Sequence, residues 1–145
     1  MGRPKLVIVW GAICGGCDVS LVNAGESLAK LFDSFDIVYW NIAVDNKLEN
    51  LKSLDRIDAA IYMGNIRTEE HLTLAEMLKK KADLIVAYGT CAVYGGIPGL
   101  AALIRPEELL EVARSTVTAK PAEKLKEIPK ELKVPELLAT CNPLT

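Results

Sequence analysis

An open, doubly wound parallel α/β sheet is the architecture that these 145 residues predict, and three observations predict it. Short apolar runs rich in β-branched residues alternate with stretches of helical period, at a spacing that suits βαβ units. The first run, Leu6 to Trp10, is apolar without alternation, as a strand buried on both faces is. The first and fourth strands run out into loops rich in glycine, and right-handed crossovers between the strands give the doubly wound, flavodoxin-like arrangement.

The elements follow in order. Lys5 to Trp10 reads as the first strand, followed by a loop carrying Gly11, Gly15 and Gly16. From Asp18 the period becomes helical, with Leu21, Gly25, Leu28 and Phe32 on one face, and Asp18 is placed to cap the helix start. Phe35 to Trp40 is a second strand, and a short helix is expected near Leu48 to Leu54. Asp58 to Met63 is a third strand, ending at Gly64-Asn65. Thr68 opens a helix with Glu69 and Glu70 at its start and Lys79 to Lys81 at its end, the charge order a helix macrodipole favours. Asp83 to Tyr88 is the fourth strand; Gly89 to Gly99 is too rich in glycine for regular structure, and Pro106 begins another helix. Residues 1–115 thus form the α/β domain. Residues 116–145 read as an irregular extension rich in Lys, Glu and Pro, with no fifth buried strand and a short helix opening around Val134 to Leu138.

Composition narrows the functional classes. Half of the residues are hydrophobic and a quarter charged, with a formal charge of −2, so no nucleic-acid footprint and no acidic tail is expected. No transmembrane segment is apparent. The N-terminal apolar run is too short for a signal peptide and lacks a cleavage site, which points to a cytoplasmic, reducing compartment. There, four cysteines suggest metal or redox chemistry rather than disulfide staples. His71, the one histidine, reads as a solvated residue of a charged helix, and Trp10 and Trp40 read as core.

Ligands of open α/β sheets bind at the carboxyl ends of the strands. Two such ends carry thiols: the first strand leads into Cys14-Gly15-Gly16-Cys17, and the fourth into Gly89-Thr90-Cys91. One intervening strand would bring both loops to the same edge. A Cys-x-x-Cys pair lets two sulfurs serve one metal centre, glycines let the backbone wrap it, and a helix N-terminus nearby favours thiolate. An iron–sulfur cluster, held by Cys thiolates, fits this pattern. Zinc accepts the same ligands. A thioredoxin-like dithiol exchanger fits too, with Cys17 as the resolving thiol and Cys91 as a small core residue. A flavin phosphate site suits the first loop poorly, because it lacks a run of hydroxyls.

Taken together, Cys14-Gly-Gly-Cys17 and Gly89-Thr-Cys91-Ala-Val-Tyr-Gly-Gly-Ile-Pro-Gly99 resemble the small subunits of NiFe hydrogenases, most closely the gamma subunit of the archaeal methyl-viologen-reducing type. The resemblance runs strand by strand over nearly the whole chain. Related subunits of respiratory complex I have adjacent cysteines in the first loop, which the two-residue gap here does not match. The resemblance implies a proximal 4Fe–4S cluster with Cys14, Cys17 and Cys91 as ligands. Gly15, Gly16, Asp18, Gly89, Thr90 and Pro98 would line it. It also implies an electron-transfer role beside a large subunit that carries the NiFe site, with a ferredoxin-like or heterodisulfide reductase subunit as a further partner, and no catalysis by this chain alone.

Two departures accompany the resemblance. The family's fourth ligand stands in a Gly-Cys-Pro-Pro turn, whereas this chain offers Thr140-Cys141-Asn142-Pro143, so Cys141 is not expected to be that ligand. Family members also continue for a similar length with further clusters, and the expectation is a chain cut short after the proximal-cluster domain. Ile97, Pro98 and Leu100, beside the second cysteine loop, are expected to form an exposed apolar patch that a partner covers.

Overall fold

The computed structural model describes residues 2–115 and 135–144. Four strands, β1 (Lys5–Trp10), β2 (Asp36–Trp40), β3 (Ile57–Met63) and β5 (Ala82–Tyr88), pair in parallel in the order β2-β1-β3-β5. β1 and β5 are therefore separated by β3 alone, as the sequence predicts. Leu6 and Ile8 of β1 point to one face of the sheet, where they pack with Trp40 and Met63 against Leu21, Leu28 and Leu31. Val7 and Val9 point to the other, where Tyr39, Leu51, Ile57, Tyr62 and Leu78 complete a second core. Burial on both faces explains the unbroken apolar run, and helices on both faces make the sheet doubly wound.

The helices are α1 (Gly16–Val22), α2 (Glu26–Ser34), α3 (Leu48–Ser53), α4 (Glu69–Lys81), α5 (Thr90–Tyr94), α6 (Gly96–Gly99) and α7 (Pro106–Ser115), with a 3-10 turn at Leu100–Leu103. Thr68 caps α4, its Oγ1 accepting from the backbone of His71. Lys81 at the far end donates from Nζ to the carbonyls of Lys52 and Leu54, closing the exit of α3.

Several expectations are corrected. The single helix expected from Asp18 to Phe32 is two, broken at Gly25, whose backbone leaves the helical region. Asp18 is not a cap: Gly15 holds that place, and Asp18 lies inside α1. Gly89–Gly99 is largely helical, in two very short pieces. A fifth and a sixth strand exist: β4 (Ile66–Thr68) and β6 (Leu137–Asn142) pair antiparallel in a small second sheet. β6 occupies the place where a helix opening was expected; Pro135 and Glu136 precede it without regular structure. The backbone of Glu69 donates to the Glu136 carbonyl, and that of Leu144 to Ala92, so this segment is tied to the α/β domain rather than hanging from it. Of the extension expected over residues 116–145, residues 116–134 and Thr145 lie outside the described residues. Along β5, Leu84 and Val86 are exposed, so this strand lacks the two-sided cover that β1 has.

Candidate metal centre

The two cysteine loops meet at the carboxyl edge of the sheet. Cys14 lies in the loop after β1, and Cys17 in the first turn of α1, within reach of the end of β5. There the thiol of Cys17 donates to the carbonyl of Tyr88 at 3.7 Å, and Ser20 one turn on shares a 2.8 Å hydrogen bond with the Tyr88 hydroxyl. Cys91 follows in the first turn of α5, buried, while Cys17 is half-buried and Cys14 exposed.

Glycine is required where the thiols pass. A Cβ on Gly89 would stand 2.3 Å from the Cys17 sulfur, and one on Gly96 would stand 2.7 Å from the Cys91 sulfur. Both residues also have φ values, +87° and +53°, that disfavour side chains. These glycines leave a cradle around two sulfurs that any other residue would fill. Gly15 caps α1 in the left-handed region, and Gly16 lies beside the Cys14 sulfur. Thr90 is exposed at the start of α5. Pro98 is half-buried rather than exposed, and its carbonyl accepts from the Cys141 thiol at 3.4 Å.

The electrostatics of the site are unfavourable to a free thiolate at Cys17. Burial pushes the Cys17 thiol above its ordinary pKa, and negative charge on Cys91, then Cys14, then Asp18 pushes it further. A bound cation or cationic cluster core would offset both effects. Asp18 is itself buried and accepts from the Trp40 indole at 2.9 Å, so its carboxylate faces the core as well as the thiols.

Two residues outside the sequence-derived set belong to this edge. Asn65, fully buried, joins the loops that carry the cysteines. Cys141 is buried on β6, its sulfur 3.4 Å from the Asn65 amide nitrogen and engaged with Pro98. Neither role was visible without β6, whose pairing with β4 has no local sequence signature. His71 is half-buried rather than solvated: its Nδ1 accepts from the backbone of Arg67, and burial lowers its pKa despite the opposing charge of Glu70. It lines a cavity of about 490 Å³ with Trp10, Tyr39 and Met77 on the α3–α4 side of the sheet.

A parallel α/β sheet that brings cysteines from its first and last strand ends together defines a small α/β domain with a thiol-bearing edge. The chain belongs to the NADH ubiquinone oxidoreductase 20 kDa subunit family, whose model matches residues 14–144. It is 36% identical over 150 residues to an iron-sulfur subunit of the F420-non-reducing hydrogenase of Archaeoglobus profundus, covering 97% of this chain and 47% of that protein. It is 34% identical to an F420-non-reducing hydrogenase subunit of Methanothermobacter marburgensis, covering 98% and 44%. The chain thus spans about half the length of the curated relatives it matches. Among solved structures, a chain of the NAD+-reducing [NiFe]-hydrogenase in the H2-reduced state shares the fold, with a TM-score of 0.79 at 22% identity, covering 99% of this chain and 76% of that one. The dithiol-exchange alternative finds no support among these relatives. Among the described residues, no helix is long and apolar enough to cross a membrane.

Proposed function

We propose that this chain is the electron-transfer domain of a NiFe-hydrogenase small subunit, and that Cys14, Cys17 and Cys91 bind a proximal 4Fe–4S cluster. The observation that carries this is the meeting of three thiols from two strand-end loops over glycines that leave their sulfurs room. Iron–sulfur clusters are held by Cys thiolates, the donors that these loops supply.

When bound, such a cluster supplies reversible one-electron transfer. The chain's own part is to present the three thiolates, exclude water and set the surrounding charge. Cys91 enters from the buried side and Cys14 from the exposed side. Tyr88 and Gly89 hold the Cys17 sulfur between them, its thiol on the Tyr88 carbonyl and the bare Gly89 Cα beneath it. Cys141 is assigned no iron, because it lies on β6 of the second sheet and on neither of the strand-end loops that carry the other three thiols.

The partner surface lies beside the site. Tyr94, Ile97, Leu100 and Leu103 are all more than half exposed, and they form the second cysteine loop and the turn after it. We assign this patch to a NiFe-hydrogenase large subunit, as the source of electrons, with a ferredoxin-like or heterodisulfide reductase subunit as the acceptor. Anaerobic reconstitution with iron and sulfide tests the core of the proposal. The expected result is four irons per chain, with an electron paramagnetic resonance signal on reduction that Cys91→Ser abolishes or converts. Full iron and an unchanged signal in Cys91→Ser would overturn the assignment.

A further inference from the structure

We infer that Asn65 is a positioning residue that holds the two cysteine loops in register, the inference resting on the cluster assignment above. Its backbone belongs to the first loop's framework: the amide of Ala12 donates to the Asn65 carbonyl at 2.9 Å, and that of Asn65 donates to the Ala12 carbonyl at 2.9 Å. Ala12 is two residues before Cys14. The Asn65 side chain reaches the other way. Its Nδ2 donates to the carbonyl of Gly95 at 2.7 Å, in the turn that ends the Cys91 helix, and lies 3.4 Å from the Cys141 sulfur. One residue therefore spans the Cys14–Cys17 loop, the Cys91 loop and β6.

The chemistry of the side chain is particular. Asn65 is fully buried, and its Oδ1 has no hydrogen-bond partner. Only the Nδ2 bonds orient the amide. Turned over, it would set its oxygen against the Gly95 carbonyl, and two acceptors facing each other in a buried site repel. Gly96, next in the turn, stands against the Cys91 sulfur, so a shift of the Gly95 carbonyl is transmitted to the Cys91 side directly. A short side chain with two N–H donors is what the position requires. Aspartate has the same shape and no donor when ionised.

The experiment compares the parent chain with Asn65→Asp and with Asn65→Ser, which removes the long-reach amide without introducing charge. In the metal-free, reduced chains, alkylation at each cysteine is followed by peptide mass spectrometry, with circular dichroism as the check on fold. In chains reconstituted with iron and sulfide, the resonance line shape and midpoint potential are recorded. Expected are severalfold faster alkylation of buried Cys91 with little change at Cys14. A broadened resonance and a displaced potential are also expected, while the secondary structure is retained. A residue that merely filled space would leave line shape and potential alone in whichever variants fold. Parent-like Cys91 alkylation, line shape and potential in either folded variant would overturn the inference. Should the parent chain itself take up no cluster, the cluster proposal fails, and the alkylation comparison alone decides the role of Asn65. Should Asn65→Asp not fold, Asn65→Ser decides.

Discussion

The indole Nε1 of Trp40 donates to the Asp18 carboxylate at 2.9 Å, and both residues are buried. The bond joins the end of β2 to the residue after Cys17, so the helix carrying that thiol is fastened to the sheet from beneath. Removing one partner leaves the other buried and unsatisfied. Asp18→Ala should cost about 1–3 kcal/mol of unfolding free energy. Asp18→Asn, which keeps an acceptor in place, should retain most of it. Denaturant unfolding of the three chains checks this, and an Asp18→Ala chain as stable as the parent would contradict it.

The same carboxylate has an electrostatic consequence at Cys17. Burial, the neighbouring thiols and lastly Asp18 all raise the Cys17 pKa, so at neutral pH less of it is thiolate than of an ordinary cysteine. Removing a negative charge lowers the cost of making another one nearby. The pH profile of Cys17 alkylation in the metal-free chain should therefore move to lower pH in Asp18→Asn. A profile that stayed in place or moved upward would show that the carboxylate does not act on the thiol.

Gly89→Ala tests the cradle. The added methyl would meet the Cys17 sulfur at 2.3 Å on a backbone with φ +87°, so the loop or the thiol must move. The expected outcome is a chain with parent-like circular dichroism that binds substantially less iron on reconstitution. Thr90→Ala, at the exposed neighbour, should bind iron like the parent. Equal iron in Gly89→Ala and the parent would count against the cradle.

The parallel sheet was legible because β1 and β3 are buried enough to be apolar along most of their length, and because glycine marks each loop that follows. The meeting of the two loops that carry Cys14, Cys17 and Cys91 was legible too, because a single intervening strand brings them to one edge. Asp18 was misread, since an acid before an apolar helical run looks like a cap, and its partner Trp40 is twenty-two residues away. β4 and β6 were missed because three residues, Ile66 to Thr68, form a strand only through pairing with a segment some seventy residues on. Asn65 belongs with them. A single asparagine after a glycine reads as a turn, and only tertiary contacts reveal a buried amide bridging two loops.

The exposed patch makes a prediction about association. Ile97 is 71% exposed and Leu103 is 81% exposed, costly places to leave apolar surface in water. Ile97→Glu with Leu103→Glu should make the reconstituted chain more soluble and should abolish its co-elution with a NiFe-hydrogenase large subunit. Iron content and resonance should be unaffected, since neither side chain touches a thiol. Co-elution that survives both substitutions would place the partner on another face.

Cys141 separates the cluster ligands from the packing around them. Counting favours it as a ligand, because it is the fourth of four cysteines. The geometry does not. Cys141 lies on neither of the two strand-end loops that carry the other three thiols. Its sulfur instead lies 3.4 Å from both the Pro98 carbonyl and the Asn65 amide, on a strand of the second sheet. Cys141→Ala should therefore keep the parent's iron content and resonance, with a loss of about 1 kcal/mol in stability from the forfeited contacts. Iron analysis beside Cys91→Ser decides between the alternatives: a ligand loses iron as Cys91→Ser does, and a packing residue does not.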